Sequence, residues 1–259
     1  MSRGLAVVTG ATAGIGREFA EQLGARGYDL LLVARDRERL AATVGSLVAA
    51  HGVAAEAFPA DLSRDDDVTR LGERLAASPR LALLVNNAGF GSRGRLAEVD
   101  IERQEAMLRL HVLAPMRLAR AALPVLLARR GGGVINVSSV AGFIYSAGNV
   151  NYCATKAYLT TFSEGLAAEL HGTGVRVQAL CPGFTRTEFH ARMTGPAESH
   201  PRFLWLSAKK VVAHSLQRLE RGGPVVCVPG FRWRLIVLAI RMTPRSLIGW
   251  ATRRQYSRV

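Results

Sequence analysis

The chain has 259 residues, of which 49% are hydrophobic and 21% are charged, and its formal net charge is +14. This composition excludes a mainly disordered protein and allows a large buried core. The 26 glycines follow no three-residue period, which excludes collagen. Three cysteines, Cys153, Cys181 and Cys227, lack the spacing of metal ligands, so we expect free thiols in a reducing compartment and no metal site.

The positive charge is concentrated at the C-terminus, where residues 230–259 contain seven arginines and no acidic residue. We call these residues the C-terminal extension. It fits a peripheral membrane contact with Trp233 and Trp250 at the level of the lipid headgroups, an acidic protein partner or a phosphorylated ligand. A solvated helix, or one that covers the pocket of a neighbouring subunit, explains the same residues. No helix-turn-helix or zinc pattern accompanies the charge, so nucleic acid is not an expected partner.

Two apolar runs bear on where the protein acts. Residues 5–8 form a run too short for the core of a signal peptide. Residues 235–240 are far fewer than the roughly 20 that span a bilayer. We therefore expect a cytoplasmic protein.

Short apolar runs alternate with amphipathic stretches along the chain. The predicted strands are residues 5–9, 30–34, 54–60, 81–85, 134–137, 175–180 and 224–228. The predicted helices cover residues 14–26, 36–50, 63–77, 101–129 and about 151–171. Strands with so little polar alternation are buried on both faces. The pattern predicts one α/β domain over residues 1–259, a doubly wound parallel sheet of about seven strands with helices on both faces, which is the Rossmann fold.

A glycine-rich turn joins the first predicted strand to the first predicted helix. Residues 9–16 read TGATAGIG, with glycines at 10, 14 and 16. Glycine lets the backbone turn tightly and approach a pyrophosphate, and the helix that follows directs free N–H groups at it. At a strand-to-helix junction of the first βαβ unit, this turn predicts a dinucleotide site.

The end of the second predicted strand indicates which dinucleotide is bound. Sites that prefer NAD usually place a carboxylate there, on the ribose hydroxyls. Here Arg35 occupies that place, with Asp36 next to it. A guanidinium suits the 2′-phosphate of NADP, whereas an ordinary surface arginine explains the same residue. We expect NADPH to be the cofactor in preference to NADH.

Three residues further along the chain carry acid–base chemistry. Tyr152 and Lys156 are four positions apart on a predicted helix, so they share one face, and Ser139 follows the fifth strand. A neighbouring ammonium is expected to lower the pKa of the phenol, which is near 10 when unperturbed. Lys156 is one of only three lysines among 34 basic residues, which weakens the interpretation of a chance surface pair. We expect Tyr152 to exchange a proton with a carbonyl or alcohol oxygen that Ser139 also binds.

Together these motifs resemble the short-chain dehydrogenase/reductase family over residues 4–190. The matching motifs, in the order of the family, are residues 9–16, Asp61-Leu62, Asn86-Asn87-Ala88-Gly89, Ser139, Tyr152-Cys-Ala-Thr-Lys156 and Pro182-Gly183. The resemblance implies an NAD(P)-dependent oxidoreductase acting on CH–OH or C=O groups of a small molecule, and commonly a homodimer or homotetramer. A protein of this fold that binds NADP as a sensor or scaffold, with weakened catalysis, is the alternative.

The resemblance also implies how each motif would meet the cofactor. Asp61 and Leu62 would contact the adenine, residues 87–89 the adenosine ribose, residues 182–187 the nicotinamide, and Lys156 the nicotinamide ribose. The expected cofactor contacts are Gly10, Thr12, Ala13, Gly14, Ile15, Gly16, Arg35, Asp61, Leu62, Asn87, Ala88, Gly89, Tyr152, Lys156, Pro182, Gly183, Thr185 and Thr187.

One position departs from the family. Where the family usually has an asparagine that holds a water behind the lysine, this chain has His111, four residues before Pro115. Proline cannot donate to the carbonyl of His111, so a kink is expected there. His111 either takes part in the proton relay as a further catalytic residue or merely fills the kink.

Aromatic residues near the expected site predict the kind of substrate. Phe143, Tyr145, Phe184, Phe189 and Trp205 follow the catalytic serine or lie in a segment, residues 188–222, that we interpret as a lid. If they converge, they form an apolar pocket for a bulky ketone, a 3-oxoacyl group or a steroid-like ring. Ordinary packing of the lid on the core explains the same residues. The C-terminal extension resembles that of long-chain 3-ketoacyl and hydroxysteroid reductases.

Overall fold

A parallel sheet of seven strands in the order β3-β2-β1-β4-β5-β6-β9 forms the centre of the protein in the computed structural model. The structure describes residues 2–191, 201–244, 246–249 and 252. The strands of the sheet are β1 (Leu5–Thr9), β2 (Asp29–Ala34), β3 (Ala55–Pro59), β4 (Leu81–Asn86), β5 (Gly133–Val137), β6 (Arg176–Leu180) and β9 (Val226–Cys227). Two short strands, β7 (Thr185–Arg186) and β8 (Leu206–Ser207), pair with each other. The predicted fold class, a doubly wound α/β sheet, is confirmed.

Helices follow most of the strands. They are α1 (Gly14–Ala25), α2 (Arg37–His51), α3 (Asp65–Ala76), α4 (Ile101–Leu108), α5 (Ala114–Arg129), α6 (Val150–Glu169), α7 (Glu188–Ala191), α8 (Ala208–Glu220) and α9 (Phe231–Met242). The predicted helix over residues 101–129 is interrupted by a π-helical turn at Arg109–Leu113, in which the Ala114 N–H bonds to the Arg109 carbonyl. The irregularity that the sequence predicts before Pro115 is therefore a π-helical turn.

Each face of the sheet packs against three helices. Val8 and Leu32 point to the layer that contains α1, α2 and α8. Val7 and Leu31 point to the layer that contains α3, α5 and α6. Both layers are closely packed, which is why the strands are apolar at every position rather than at every second one. All three cysteines are buried free thiols.

A long apolar helical stretch belongs to one of these layers. Among the described residues, Ile101–Arg129 is the one stretch with the length and hydropathy to cross a membrane. Leu118, Ala122 and Leu126 of this stretch are buried in the core together with Leu71 and Leu75 of α3. It is therefore a core helix of the domain.

The segment predicted as a lid has two different parts. Residues 208–220 form α8, in which Val211 and Val212 are fully buried in the core. The remainder includes α7 and β8, while residues 192–200 lie outside the described part of the chain. Trp250 and residues 253–259 of the C-terminal extension also lie outside it.

Candidate active site

The carboxyl ends of β1 and β4 meet at the point where the strand order reverses, and hydrogen bonds connect them. The hydroxyl of Thr9 accepts from the backbone N–H groups of Asn87 and Ala88, each at 2.9 Å. The side-chain amide of Asn87 donates to the Thr9 carbonyl at 2.8 Å. Ligands of doubly wound sheets bind at this switch point, and the hydrogen bonds hold both of its loops in place.

The glycine turn after β1 fits a pyrophosphate. Gly10 and Gly14 have φ angles of +66° and +53°, which favour glycine, and a Cβ on Gly16 would lie 2.2 Å from the Gly10 carbonyl oxygen. Helix α1 begins after Ala13, whose methyl group cannot bond the first N–H groups of the helix. Those groups remain available to an anion at the positive end of the helix dipole.

The other residues predicted to bind the adenosine half follow the neighbouring strands. Arg35 is exposed directly after β2, and Leu62 is buried beyond the end of β3. One carboxylate oxygen of Asp61 accepts from the backbone N–H and the hydroxyl of Ser63, at 3.0 Å and 2.7 Å. Gly89 lies in the loop that begins at Asn87, after β4. These residues therefore share the carboxyl edge of the sheet with the glycine turn.

The segment after β6 contacts the glycine turn. A Cβ on Gly14 would lie 2.9 Å from the Cβ of Thr187. Beyond Thr187, Glu188 forms a two-point ion pair with Arg39 of α2, one contact of which is 3.0 Å long. Residues Pro182, Gly183 and Thr185 precede this contact and follow β6 directly. The segment that the resemblance assigns to the nicotinamide thus lies across the crevice from the phosphate turn.

Ser139, Tyr152 and Lys156 are brought together at the end of β5. The hydroxyl of Tyr152 is hydrogen-bonded with Ser139. The Nζ atom of Lys156 donates to the Val137 carbonyl at 2.9 Å and lies 5.6 Å from the centroid of the Tyr152 ring. The segment after Ser139 packs so closely on α6 that a Cβ on Gly142 would lie 2.7 Å from the Lys156 carbonyl oxygen.

Burial controls the ionisation of both α6 residues in this structure. Burial raises the pKa of Tyr152 to about 12, and the hydrogen bond with Ser139 opposes this rise. Burial lowers the pKa of Lys156 to about 8. The expected decrease in the phenol pKa is thus wrong in this structure, because the removal of the hydroxyl from water outweighs the effect of the hydrogen bond with Ser139.

His111 lies directly behind Tyr152, and its two ring nitrogens have partners in the protein. The backbone N–H of Phe90 donates to Nε2 at 3.1 Å, so the proton of the ring is on Nδ1, which lies 3.1 Å from Oγ1 of Thr155. The Thr155 hydroxyl in turn donates to the Tyr152 carbonyl at 2.9 Å. Burial, and next the charge of Lys156, hold the pKa of His111 well below its usual value. His111 is therefore neutral.

The predicted substrate residues form two groups. Phe189 lies beside Tyr152, with 6.1 Å between their ring centroids. Phe184 is packed against Trp205, with 5.7 Å between the ring centroids, and both belong to an apolar region beyond the sheet edge. Phe143 packs in the same region, whereas Tyr145 is 39% exposed.

Trp233 belongs to the site region, although the sequence placed it at a membrane surface. Its side chain is 6% exposed, and its Nε1 donates to the Leu204 carbonyl at 2.9 Å. The indole lies so close to Gly183 that a Cβ there would be 2.0 Å from it. The headgroup assignment of Trp233 is therefore wrong, because this residue is on the inner face of α9. The sequence signal for this contact was the missing side chain at Gly183.

This geometry suits hydride exchange between a nicotinamide and a carbonyl, and the protein is an NAD(P)-dependent oxidoreductase acting on CH–OH or C=O groups. It belongs to the short-chain dehydrogenase/reductase family, since the family profile described as "short chain dehydrogenase" matches residues 4–196. An uncharacterised oxidoreductase of Myxococcus xanthus is 33% identical over 257 residues, which are 98% of each chain.

Solved structures agree with this assignment. A short-chain dehydrogenase from Sphingobium yanoikuyae in complex with NADPH is 35% identical, with a TM-score of 0.83 over 92% of this chain and 94% of that chain. A bulky-bulky ketone specific alcohol dehydrogenase from Comamonas testosteroni is 29% identical, with a TM-score of 0.80 over 93% of each chain.

Proposed function

We propose that the protein is an NADPH-dependent reductase of ketones with bulky apolar substituents, such as a ketoacyl, aromatic or steroid-like group. The observation that carries this proposal is the Tyr152 hydroxyl, which is hydrogen-bonded with Ser139 and is flanked by the ring of Phe189. A proton donor beside an apolar surface suits a ketone whose oxygen faces the hydroxyls and whose substituents face the rings.

The preference for NADPH is supported by the side chains after β2. Asp36 is the residue that could bind the ribose hydroxyls of NAD, but its carboxylate caps α2 by accepting from the Arg39 N–H at 2.9 Å. Arg35 is exposed next to it and free to turn toward a 2′-phosphate. The relative from Sphingobium yanoikuyae binds NADPH, which is consistent with this assignment.

The residues of the chain have distinct tasks in this proposal. A bound nicotinamide supplies or accepts the hydride. Tyr152 donates the proton to the carbonyl oxygen, and Ser139 holds that oxygen in place with a hydrogen bond. Lys156 is fixed by its bond to Val137, and its remaining protons are available to the nicotinamide ribose and to the phenolate that forms on Tyr152. The same groups serve alcohol oxidation.

The kind of substrate is supported by the apolar region beside the site. Phe184 packs between Trp205 and Trp233, with 5.3 Å between the ring centroids of Phe184 and Trp233. Large rigid rings make a pocket wall that keeps its shape around an apolar substituent. The relative from Comamonas testosteroni is specific for ketones with two bulky groups, which fits such a wall.

We also propose a cytoplasmic homodimer or homotetramer. A depression of about 520 Å³ between α5 and α6 is lined by Met116, Leu123, Phe162 and other residues of these helices. An isologous contact between copies would cover this surface. Light scattering on the purified protein tests the subunit count.

The function is tested by NADPH and NADH oxidation with ketones of increasing apolar size. We expect NADPH and the larger ketones to be preferred, and Tyr152→Phe to lower kcat at least about 100-fold while NADPH binding is retained. Tyr158→Phe is the matched control, because Tyr158 is on α6 but stacks on Phe162 instead. Wild-type turnover by the Tyr152 variant would refute the proposal.

A further inference from the structure

Helix α9 has two apolar faces, of which only one is covered by the protein. Trp233 and Val237 point inward and are 6% and 5% exposed. On the other side, Phe231, Leu235, Leu238 and Met242 recur at intervals of four, three and four residues and are 50–77% exposed. We call these four residues the outer face of α9. This spacing aligns them along one side of a helix.

Arginines flank the outer face on both sides. At 100° per residue, Arg232 falls on one border of the face, and Arg234 and Arg241 fall on the other. Arg232 also donates to the carbonyl of Phe203, a residue that is 61% exposed and so extends the apolar surface. Long cationic side chains beside an apolar stripe place their charge at the depth of lipid headgroups.

The charge around this face is of one sign. Residues 230–259 contain seven arginines and no acidic residue. In the described part of the chain, Arg232, Arg234 and Arg241 contact aromatic rings, with their guanidinium carbons 4.9–5.9 Å from the ring centroids, and form no ion pair with a carboxylate. A second copy packed on α9 by two-fold symmetry would bring these arginines against their own counterparts, at a cost in repulsion. An anionic surface would instead attract all three of these charges.

We propose that the outer face of α9 binds an anionic lipid surface, with its four apolar side chains in the acyl boundary and its arginines on the headgroup phosphates. The helix would lie in the plane of the surface, anchored to the domain through Trp233 and Val237. Binding of this kind adds the burial of apolar area to electrostatic attraction. The inference does not rest on the proposed function, because it concerns a different surface and is measured without turnover.

The experiment is co-sedimentation of the full chain with vesicles of phosphatidylcholine, alone or with about one third phosphatidylglycerol. We expect binding to the anionic vesicles only, and weaker binding as salt is raised. The variant Leu235→Ser/Leu238→Ser leaves the charge unchanged and should weaken binding at least about tenfold, because two exposed leucines no longer enter the lipid. Val48→Ser on α2, 42% exposed in the wild type, is the control and should bind normally.

Three results would overturn the proposal. The first is a wild-type chain that does not sediment with anionic vesicles. The second is equal binding by the leucine variant and the wild type, which would assign binding to the overall charge of +14. The third is that the wild type does not bind vesicles and the leucine variant has a lower subunit count by light scattering. This combination would assign the outer face of α9 to contact with a second copy. Unchanged melting temperature and NADPH fluorescence titration establish that the variant is folded.

Discussion

His111 and Thr155 are joined by a hydrogen bond of 3.1 Å between Nδ1 and Oγ1, directly behind Tyr152. Because the Phe90 N–H occupies Nε2, the histidine is the donor and the threonine hydroxyl is left to donate to the Tyr152 carbonyl. The backbone after β4 is thereby connected to α6 through one imidazole. A Cβ on Gly89 would lie 2.7 Å from Nε2, so the ring also needs a glycine beneath it. This arrangement favours a positioning role for His111.

The first prediction concerns this connection. Thr155→Val removes the hydroxyl that links His111 to α6, and we expect kcat to fall about tenfold because Tyr152 is held less firmly. Thr155→Ser retains the hydroxyl and should restore most of the rate. Steady-state kinetics with NADPH and a reactive ketone measure both variants. Equal losses for the two variants would contradict the prediction, because Thr155→Ser keeps the hydroxyl and Thr155→Val does not.

The second prediction uses the neutral state of His111. Its pKa is well below 6.5, so no titration of this residue falls between neutral pH and pH 6.5. We expect His111→Asn to lower kcat but to leave the position of the pH–rate profile in that range unchanged. The profile is measured for wild type and variant with the same ketone. Loss of an ionisation near neutral pH in the variant would show that His111 takes part in proton transfer.

Sequence alone was sufficient for the fold and for the expectation that Ser139, Tyr152 and Lys156 lie together at the end of β5. Apolar strands and a glycine turn identify the doubly wound sheet, because their pattern depends on local backbone needs and on burial. The ionisation of Tyr152 could not be predicted, since it depends on how far the surrounding structure excludes water. The position of Trp233 could not be predicted either, because helical periodicity does not say which of two apolar faces of α9 is covered.

The third prediction concerns cofactor preference. We expect Arg35→Ser to lower kcat/KM for NADPH about 100-fold, because a two-point bond from guanidinium to phosphate is lost, and to change kcat/KM for NADH little. Arg37→Ser is the control, since Arg37 is also exposed and lies two residues further on, at the start of α2. Both ratios come from initial rates at limiting cofactor. A parallel loss with NADH would show that Arg35 has no role in recognising the 2′-phosphate.

The fourth prediction concerns the free energy of unfolding. Lys156 has a pKa lowered to about 8 by burial, against 10.5 in its ordinary state, so between these values the unfolded chain binds more protons than the folded one. The stability of the wild type should therefore rise with pH across this range, relative to Lys156→Met, in which the titration is absent. Below pH 8 the buried ammonium costs about 3 kcal/mol by this reasoning. We expect Lys156→Met to be more stable at pH 7 although it is inactive.

Urea unfolding of both proteins at several pH values measures this difference. Other titrating groups are common to the two proteins and cancel in the comparison. A difference in unfolding free energy that does not change between pH 8 and pH 10 would show that Lys156 keeps an ordinary pKa.

The fifth prediction concerns the contact between Gly183 and Trp233. A methyl group on Gly183 would lie 2.0–2.3 Å from three indole atoms, so Gly183→Ala must displace Trp233 and break its bond to the Leu204 carbonyl. We expect a loss of about 2–3 kcal/mol in the free energy of unfolding. In Gly183→Ala/Trp233→Leu the clash is relieved, and the combined loss should be smaller than the sum of the single losses.

Gly165→Ala is the matched control for this change. Gly165 is inside α6, and a Cβ there meets no atom within 4 Å in the described part of the chain, so alanine should stabilise the protein by about 0.5–1 kcal/mol. Urea unfolding of the four variants gives the coupling directly. Strictly additive losses at Gly183 and Trp233 would mean that the two residues do not touch, and α9 would then not be anchored at the active-site edge of the sheet.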